Sequence, residues 1–177
     1  MSDQYTEEED KLISWFKDNY KNMIIGVIVG TSSVLGYNYY SDNSLNNQYE
    51  ISLKYESALL EYQDKKYDSV LKLSEELTTT DPDNIYTSLI NLYAAKIYHD
   101  EKNYKQAINI LNTIIVSSDS IEVLDIAKIR LARILIFLKK YNEARETILS
   151  LNNHMKKSIS TELLGDIEYF KNNFKEA

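Results

Sequence analysis

Four short segments of this chain repeat one pattern: KKYDSVLKL at 65–73, KNYKQAINIL at 102–111, KKYNEARETIL at 139–149 and NNFKEA at 172–177. An aromatic residue (Tyr67, Tyr104, Tyr141, Phe174) recurs at intervals of 37, 37 and 33 residues. Nine residues before each stands a small residue (Ala58, Ala95, Ala132, Gly165), and three after it another small or short one (Val70, Ala107, Ala144, Ala177). A period in the thirties with helical spacing on both sides means stacked helix pairs. The small residues fall where the two helices of a pair cross, because only a short side chain lets the backbones approach, and the aromatic fills the gap below the crossing. One proline and four glycines in 177 residues argue for helix nearly throughout.

These positions resemble the tetratricopeptide repeat. With the first small residue at repeat position 8, the second falls at position 20 in all four copies, which then run near 51–84, 88–121, 125–158 and, in part, 158–177. Large apolar residues follow at positions 24 and 27 in the second and third copies (Leu111 and Ile114; Ile148 and Leu151), and Pro82 lands at position 32 of the first. The first copy departs most, with Val70 and Ser74 at positions 20 and 24. In the fourth, the second helix would begin at Asn173, leaving Leu163, Leu164, Ile167 and Phe170 without a partner helix, as at a truncated or differently capped end. The resemblance implies an all-α repeat domain at 51–177, a right-handed α-solenoid of helical hairpins.

Ahead of the repeats, residues 22–41 (NMIIGVIVGTSSVLGYNYYS) carry no charge. Twenty helical residues cover about 30 Å, the hydrocarbon thickness of a bilayer, so the stretch reads as a single transmembrane helix. Thr31, Ser32 and Ser33 sit near its middle, where their hydroxyls can bond to carbonyls one turn back. Tyr37, Tyr39 and Tyr40 at one end, and Trp15, Phe16 and Tyr20 at the other, are rings that prefer the membrane interface. A cleavable signal peptide is the first rival, but no small-x-small site follows and about twenty polar residues precede the stretch. A buried core helix is the second.

Lys11, Lys17 and Lys21 lie just before the span, and the next basic residue is Lys54, so the N-terminus is expected in the cytoplasm and the large domain across the membrane. Residues 1–21 then form a cytoplasmic amphipathic segment, capped by Thr6 and Glu9, with Leu12, Ile13, Phe16 and Tyr20 on one face. Residues 42–50 are a polar connector. Within the span, Gly26 and Gly30 make a GxxxG step continued by Ser33, a face that another membrane helix can approach closely.

Nothing in the chain carries a catalytic pattern. Cysteine is absent, which excludes disulfides and thiolate metal sites. His99 and His154 have no carboxylate or second histidine at ligand spacing on a common face, and no phosphate loop, nucleophile elbow or HExxH run occurs. No catalytic, cofactor or metal site is therefore expected. With a net charge of −7 and no basic stripe interleaved with aromatics, neither is nucleic acid.

The candidate site is instead the concave face. In tetratricopeptide repeats, positions 2, 5, 9, 12 and 13 of the first helix line it, which here implies Tyr55, Leu59 and Tyr62, then Leu92, Lys96 and His99, then Ile129, Arg133, Ile136 and Phe137. Aromatic and aliphatic residues with Lys96 and Arg133 one repeat apart suit a protein segment with an apolar face and an acidic group. The simpler reading of Leu92, Ile129 and Ile136 is core between repeats. The family's carboxylate-clamp pattern is missing, since Tyr55 and Leu59 replace its Lys and Asn.

The run WFKDNYKNMIIGVIVG, the following GYNYY, the acidic N-terminal segment and the third repeat from Ile129 to Ala144 together resemble the bacterial ancillary SecYEG translocon subunits, the YfgM family. The resemblance covers nearly the whole chain, although Tyr20 stands where that family usually has Gly. It implies a single-pass protein of the bacterial inner membrane with a periplasmic repeat domain. The implied partners are the SecYEG translocon, a membrane-anchored periplasmic chaperone of the prolyl-isomerase type, secreted polypeptides and membrane lipid. A scaffold for another envelope complex and a stress-response regulator acting through residues 1–21 are the alternatives. The repeat register itself predicts that Ala107→Leu or Ala144→Leu overpacks a crossing by about 1–3 kcal/mol and lowers the melting temperature of the repeat domain. An unchanged melt would mean that the register is wrong.

Overall fold

The computed structural model describes residues 3–171, with side chains for all of these except 3–8, 40, 42–45 and 153–158. Among the described residues there are seven helices and no strand: α1 Asp3–Gln63, α2 Tyr67–Thr80, α3 Ile85–Asp100, α4 Tyr104–Ser117, α5 Ile121–Phe137, α6 Tyr141–Leu149 and α7 Asn153–Phe170. Phe174 and Ala177 of the fourth repeat, and the side chain of His154, lie outside the description. The chain divides into two units, Met1–Gln48 and Tyr49–Ala177.

Helix α1 is unbroken from Asp3 to Gln63, so the polar stretch 42–50, expected as a connector, is itself helical, and Thr6 does not start a separate helix. The physical reason is that polarity alone does not end a helix. Asn and Ser cost only about 0.5 kcal/mol each relative to alanine, and neither proline nor glycine stands between Gly36 and Pro82 to break the ladder.

In the first unit the large apolar side chains are exposed on every side of the helix. Ile24, Ile25, Val27, Ile28, Val29, Val34 and Leu35 all show more than half of their surface, as do Leu12, Ile13, Trp15 and Phe16. Thr31 Oγ1 donates to the Val27 carbonyl and Ser33 Oγ to that of Val29 at 2.8 Å, so the central hydroxyls are satisfied within the helix. A Cβ added at Gly26 or Gly30 would meet nothing within 4 Å, so the GxxxG step serves no close approach among the described residues. No helix among the described residues is long and apolar enough to cross a membrane. Within 22–41 the hydroxyl cluster, Asn22, Asn38 and three tyrosines hold the mean hydropathy down.

The second unit is a stack of helix pairs. Each helix from α2 onwards packs on the next in the chain, and α3 touches α5 as α5 touches α7. The three turns within pairs are built alike. Lys65, Lys102 and Lys139 adopt φ of 61°, 60° and 61°, the left-handed region that an L-residue enters at a cost. The amide of each following residue reaches back to the carbonyl five residues earlier (Lys66 to Glu61 at 2.9 Å, Asn103 to Tyr98 at 2.8 Å, Lys140 to Leu135 at 2.8 Å), closing the helix end. Side chains begin the next helices: Asn84 Oδ1 accepts from the Tyr86 amide at 2.9 Å and Ser120 Oγ from that of Val123 at 3.4 Å.

The small residues sit where the repeat places them. Ala95, Ala107, Ala132, Ala144 and Val70 show 2% of their surface or less, and Ala58 4%. Leu111, Ile114, Ile148, Leu163 and Ile167 fill the core around them. The polar departure in the first copy has its partner: Ser74 Oγ donates to Asn91 Oδ1 at 2.6 Å and the Asn91 amide to Thr78 Oγ1 at 2.9 Å, a satisfied buried network between α2 and α3. Helix α7 is held by the pairing of Arg145 with the buried carboxylate of Glu168 and by the Asn152 amide on Asp125 Oδ1 at 3.2 Å.

The left-handed lysines yield a signed prediction. Lys102→Gly removes the steric cost of positive φ and should stabilise the repeat unit by roughly 1 kcal/mol, raising its melting temperature by a few degrees, whereas Lys102→Val should lower it. Calorimetry on the two variants decides; equal melts would mean that the turn is not held in this conformation.

Candidate partner groove

Helix α3 presents Tyr93, Lys96, His99 and Asp100 along one face, each three or four residues from Lys96, and α5 presents Arg133 and Ile134 opposite, three and four residues from Arg130. Between them lies a cavity of about 310 Å³. Its floor is apolar, made by the buried Ala95, Leu111 and Ile134, and its rim carries Lys96, His99, Asp100, Arg130 and Arg133. Three cations thus face one carboxylate, in a chain whose net charge is −7.

Each charge is oriented by a local contact. Lys96 Nζ donates to Asp100 Oδ2 at 2.7 Å, which holds the Lys96 pKa above its ordinary value and the Asp100 carboxyl below its own. His99 Nδ1 lies 3.3 Å from Asp100 Oδ1. Arg130 Nη1 donates to the Leu92 carbonyl at 2.8 Å, and burial pushes its guanidinium below the usual range without discharging it. Arg133 reaches Glu162 at 3.7 Å, both exposed, so that contact is loose. An aromatic cluster stands beside the cavity, with Tyr62 and Tyr93 near Arg130. Tyr62 and Tyr93 rings lie 4.9 Å apart, Tyr55 stacks near Tyr86 at 5.7 Å, and burial raises the Tyr55 phenol pKa.

Of the residues that the repeat register implied, Lys96, His99 and Arg133 come together on this cavity, with Tyr62 beside Lys96. Leu59 and Tyr55 are half-buried in the first pair. Leu92, Ile129 and Ile136 expose 5%, 8% and 8%, and correct the expectation: they are packed between successive pairs and belong to the core. Phe137 is exposed, but at the turn end of α5, where its ring meets Tyr104 at 5.1 Å. Gly26, Gly30 and Ser33 lie in the other unit. Three residues at or beside the rim, Asp100, Tyr93 and Arg130, are not among those the register implied. Asp100 holds position 13 and was within its reach. Tyr93 and Arg130 both hold position 6, and only their 37-residue spacing hinted that this register faces outward. Among the described residues no group of three His, Asp or Glu side chains could hold a metal ion.

The chain matches the family described as a tetratricopeptide repeat-like domain over residues 13–177. Three curated relatives carry the name ancillary SecYEG translocon subunit. That of Aggregatibacter actinomycetemcomitans is 25% identical, covering 94% of this chain and 83% of its own. That of Escherichia coli K12 is 24% identical (92% and 79%), and that of Buchnera aphidicola from Acyrthosiphon pisum 28% (82% and 74%). No solved structure matches the chain. The resemblance read from Trp15, Phe16, the glycine-bearing apolar run and the third repeat is borne out.

The Lys96–Asp100 pair has a definite pH signature. Because the folded Asp100 pKa is depressed, the pair stabilises the fold above the ordinary aspartate pKa, and that contribution fades as pH falls through the lowered folded value. Both side chains are about half exposed, so its size is about 0.3–0.5 kcal/mol. Lys96→Gln should return the Asp100 carboxyl towards its ordinary pKa in a carbon-detected NMR titration; an unmoved titration would mean that the pair does not form in solution.

Proposed function

This chain belongs to the tetratricopeptide repeat-like domain family, and on that premise we propose that it is an ancillary component of the Sec translocon that works by holding protein segments in the α3–α5 groove. The observation that carries the reading is the groove itself: an apolar floor and a cationic rim on a helical array, with the paired rings of Tyr62 and Tyr93 beside it. Such a surface recognises an extended or helical segment with an apolar face and an acidic group. The relatives, which align along nearly this whole chain, support the translocon as the setting.

In the same reading the chain is a single-pass protein of the bacterial inner membrane. Its anchor is residues 22–41, residues 1–21 are cytoplasmic, and the repeat unit stands in the periplasm, where it passes secreted polypeptides to a membrane-anchored chaperone of the prolyl-isomerase type. The bare apolar shell from Ile24 to Leu35 supports the anchor, since so much exposed Ile, Val and Leu in one helix calls for a lipid or protein cover. The modest hydropathy of the segment suits a helix that packs its Gly26, Gly30 and Ser33 face on membrane helices of the translocon. Lys11, Lys17 and Lys21 support the orientation.

Lys96→Glu with Arg133→Glu should reduce co-purification of translocon-associated partners from solubilised membranes by tenfold or more, on the order of 1.4 kcal/mol, with helicity and melting temperature nearly unchanged because both side chains are exposed. Undiminished recovery would remove the groove from the function. Protease added outside spheroplasts should digest the repeat unit and spare residues 1–21; a protected repeat unit would sink the periplasmic orientation.

A further inference from the structure

The turns within helix pairs gather lysine on one edge of the repeat unit. Lys65 and Lys66 stand at the first turn, Lys102 and Lys105 at the second, and Lys139 and Lys140 at the third, all exposed. The second and third turns share a depression lined by Lys102, Lys105 and Lys140, and the next depression along brings Lys139 and Lys140 to Lys171 at the end of α7. Aromatic rings are set among them: Phe137, 64% exposed, lies on Tyr104, and Lys171 Nζ sits 5.9 Å from the Tyr141 ring. Of the acids at these turns, Asp64 is engaged by Lys66 at 3.0 Å and Glu143 by Lys140 at 3.1 Å, while Glu101, beside Lys102, is exposed. Among the described residues Lys65, Lys102, Lys105 and Lys139 have no carboxylate partner.

We propose that this lysine edge is a contact surface for the anionic headgroups of a lipid bilayer. The chemistry selects lipid over an acidic protein. The edge carries lysine alone, whose ammonium is a hydrated, mobile point charge suited to phosphate in a fluid surface, while arginine, the residue for bidentate carboxylate recognition, is spent elsewhere: Arg130 and Arg133 in the groove, Arg145 on Glu168. Lysines interspersed with exposed and half-buried rings along successive turns match the composition of membrane-interface surfaces. The acidic net charge of the chain makes the segregation meaningful, because the surface outside this edge and the groove rim is net acidic and would be repelled by the same headgroups. The inference rests on the reading that the chain is held at a membrane, which supplies one attachment while the edge supplies a second, weaker and salt-sensitive one.

The absence of cysteine allows a clean test. The full chain carries a single environment-sensitive dye, either on Asn142→Cys at the lysine edge or on Val116→Cys, an 89% exposed position of α4 outside both depressions. It is reconstituted in vesicles of phosphatidylcholine alone or with phosphatidylglycerol, each doped with headgroup spin-labelled lipid. Flotation with the phosphatidylcholine vesicles reports the anchor by itself. Quenching of the Asn142→Cys dye should be about threefold greater with phosphatidylglycerol, fall as salt is raised, and stay low for Val116→Cys. Lys102→Asn, Lys105→Gln and Lys139→Asn together should remove the difference without lowering the melting temperature, since asparagine tolerates positive φ. Flotation with equal quenching in the two lipids, or a difference that survives the triple variant, overturns the lipid edge while leaving the anchor intact. Failure to float in neutral lipid instead overturns the anchor, and the phosphatidylglycerol-dependent quenching still decides the edge.

Discussion

The repeat unit depends on how closely two helix backbones can approach at each crossing. Alanine at positions 95, 107, 132 and 144 and valine at 70 are buried there, and any larger side chain would have to displace a neighbouring helix, because interiors at this density have no slack. Close crossing in turn demands a short connection, and the connection is the left-handed turn at Lys65, Lys102 and Lys139, three non-glycine residues held at positive φ by the same pair of back-bonds. The strain is kept because the crossing and the turn hold each other in place.

From that repetition the surfaces follow. Successive first helices α3 and α5 lie side by side, so residues at equivalent positions come to face one another across a groove, and Lys96 meets Arg133 and Arg130 although 37 and 34 residues separate them in the chain. The turns between the helices of a pair recur along the other margin, which is why lysines that look scattered in the sequence form a row. One array thus presents two chemically distinct cationic surfaces: arginine and lysine around an apolar floor, and lysine alone along an edge.

Legibility in the sequence followed steric stringency. The helix pairs and their crossings could be read because a crossing accepts only small residues at fixed spacing, and Ala95, Ala107, Ala132 and Ala144 occupy those positions in the second and third copies. The buried Asn91–Ser74–Thr78 network could not, because nothing in the first copy's polar residue reveals a partner 17 positions away. Lys96, His99 and Arg133 can be placed on one cavity from the repeat register, since equivalent positions of α3 and α5 face each other. For Leu92, Ile129 and Ile136 the sequence leaves groove and core both open, because the concave face merges into the packing between pairs, and how far a helix rotates there depends on its neighbours. The unbroken α1 escaped for a different reason: a run of Asn and Ser resembles a linker in composition, yet has no residue that forces the chain out of helix.

The central claim is that the α3–α5 groove is occupied by other polypeptides at the translocon. A photoactivatable amino acid at His99, on the groove rim, and at Val116, outside the groove lining, tests it directly in intact membranes under conditions of active secretion. The account predicts defined protein adducts from His99, lost when Lys96 and Arg133 are reversed to Glu, and none of the same adducts from Val116. The same adducts from both positions, or none from His99, would contradict it.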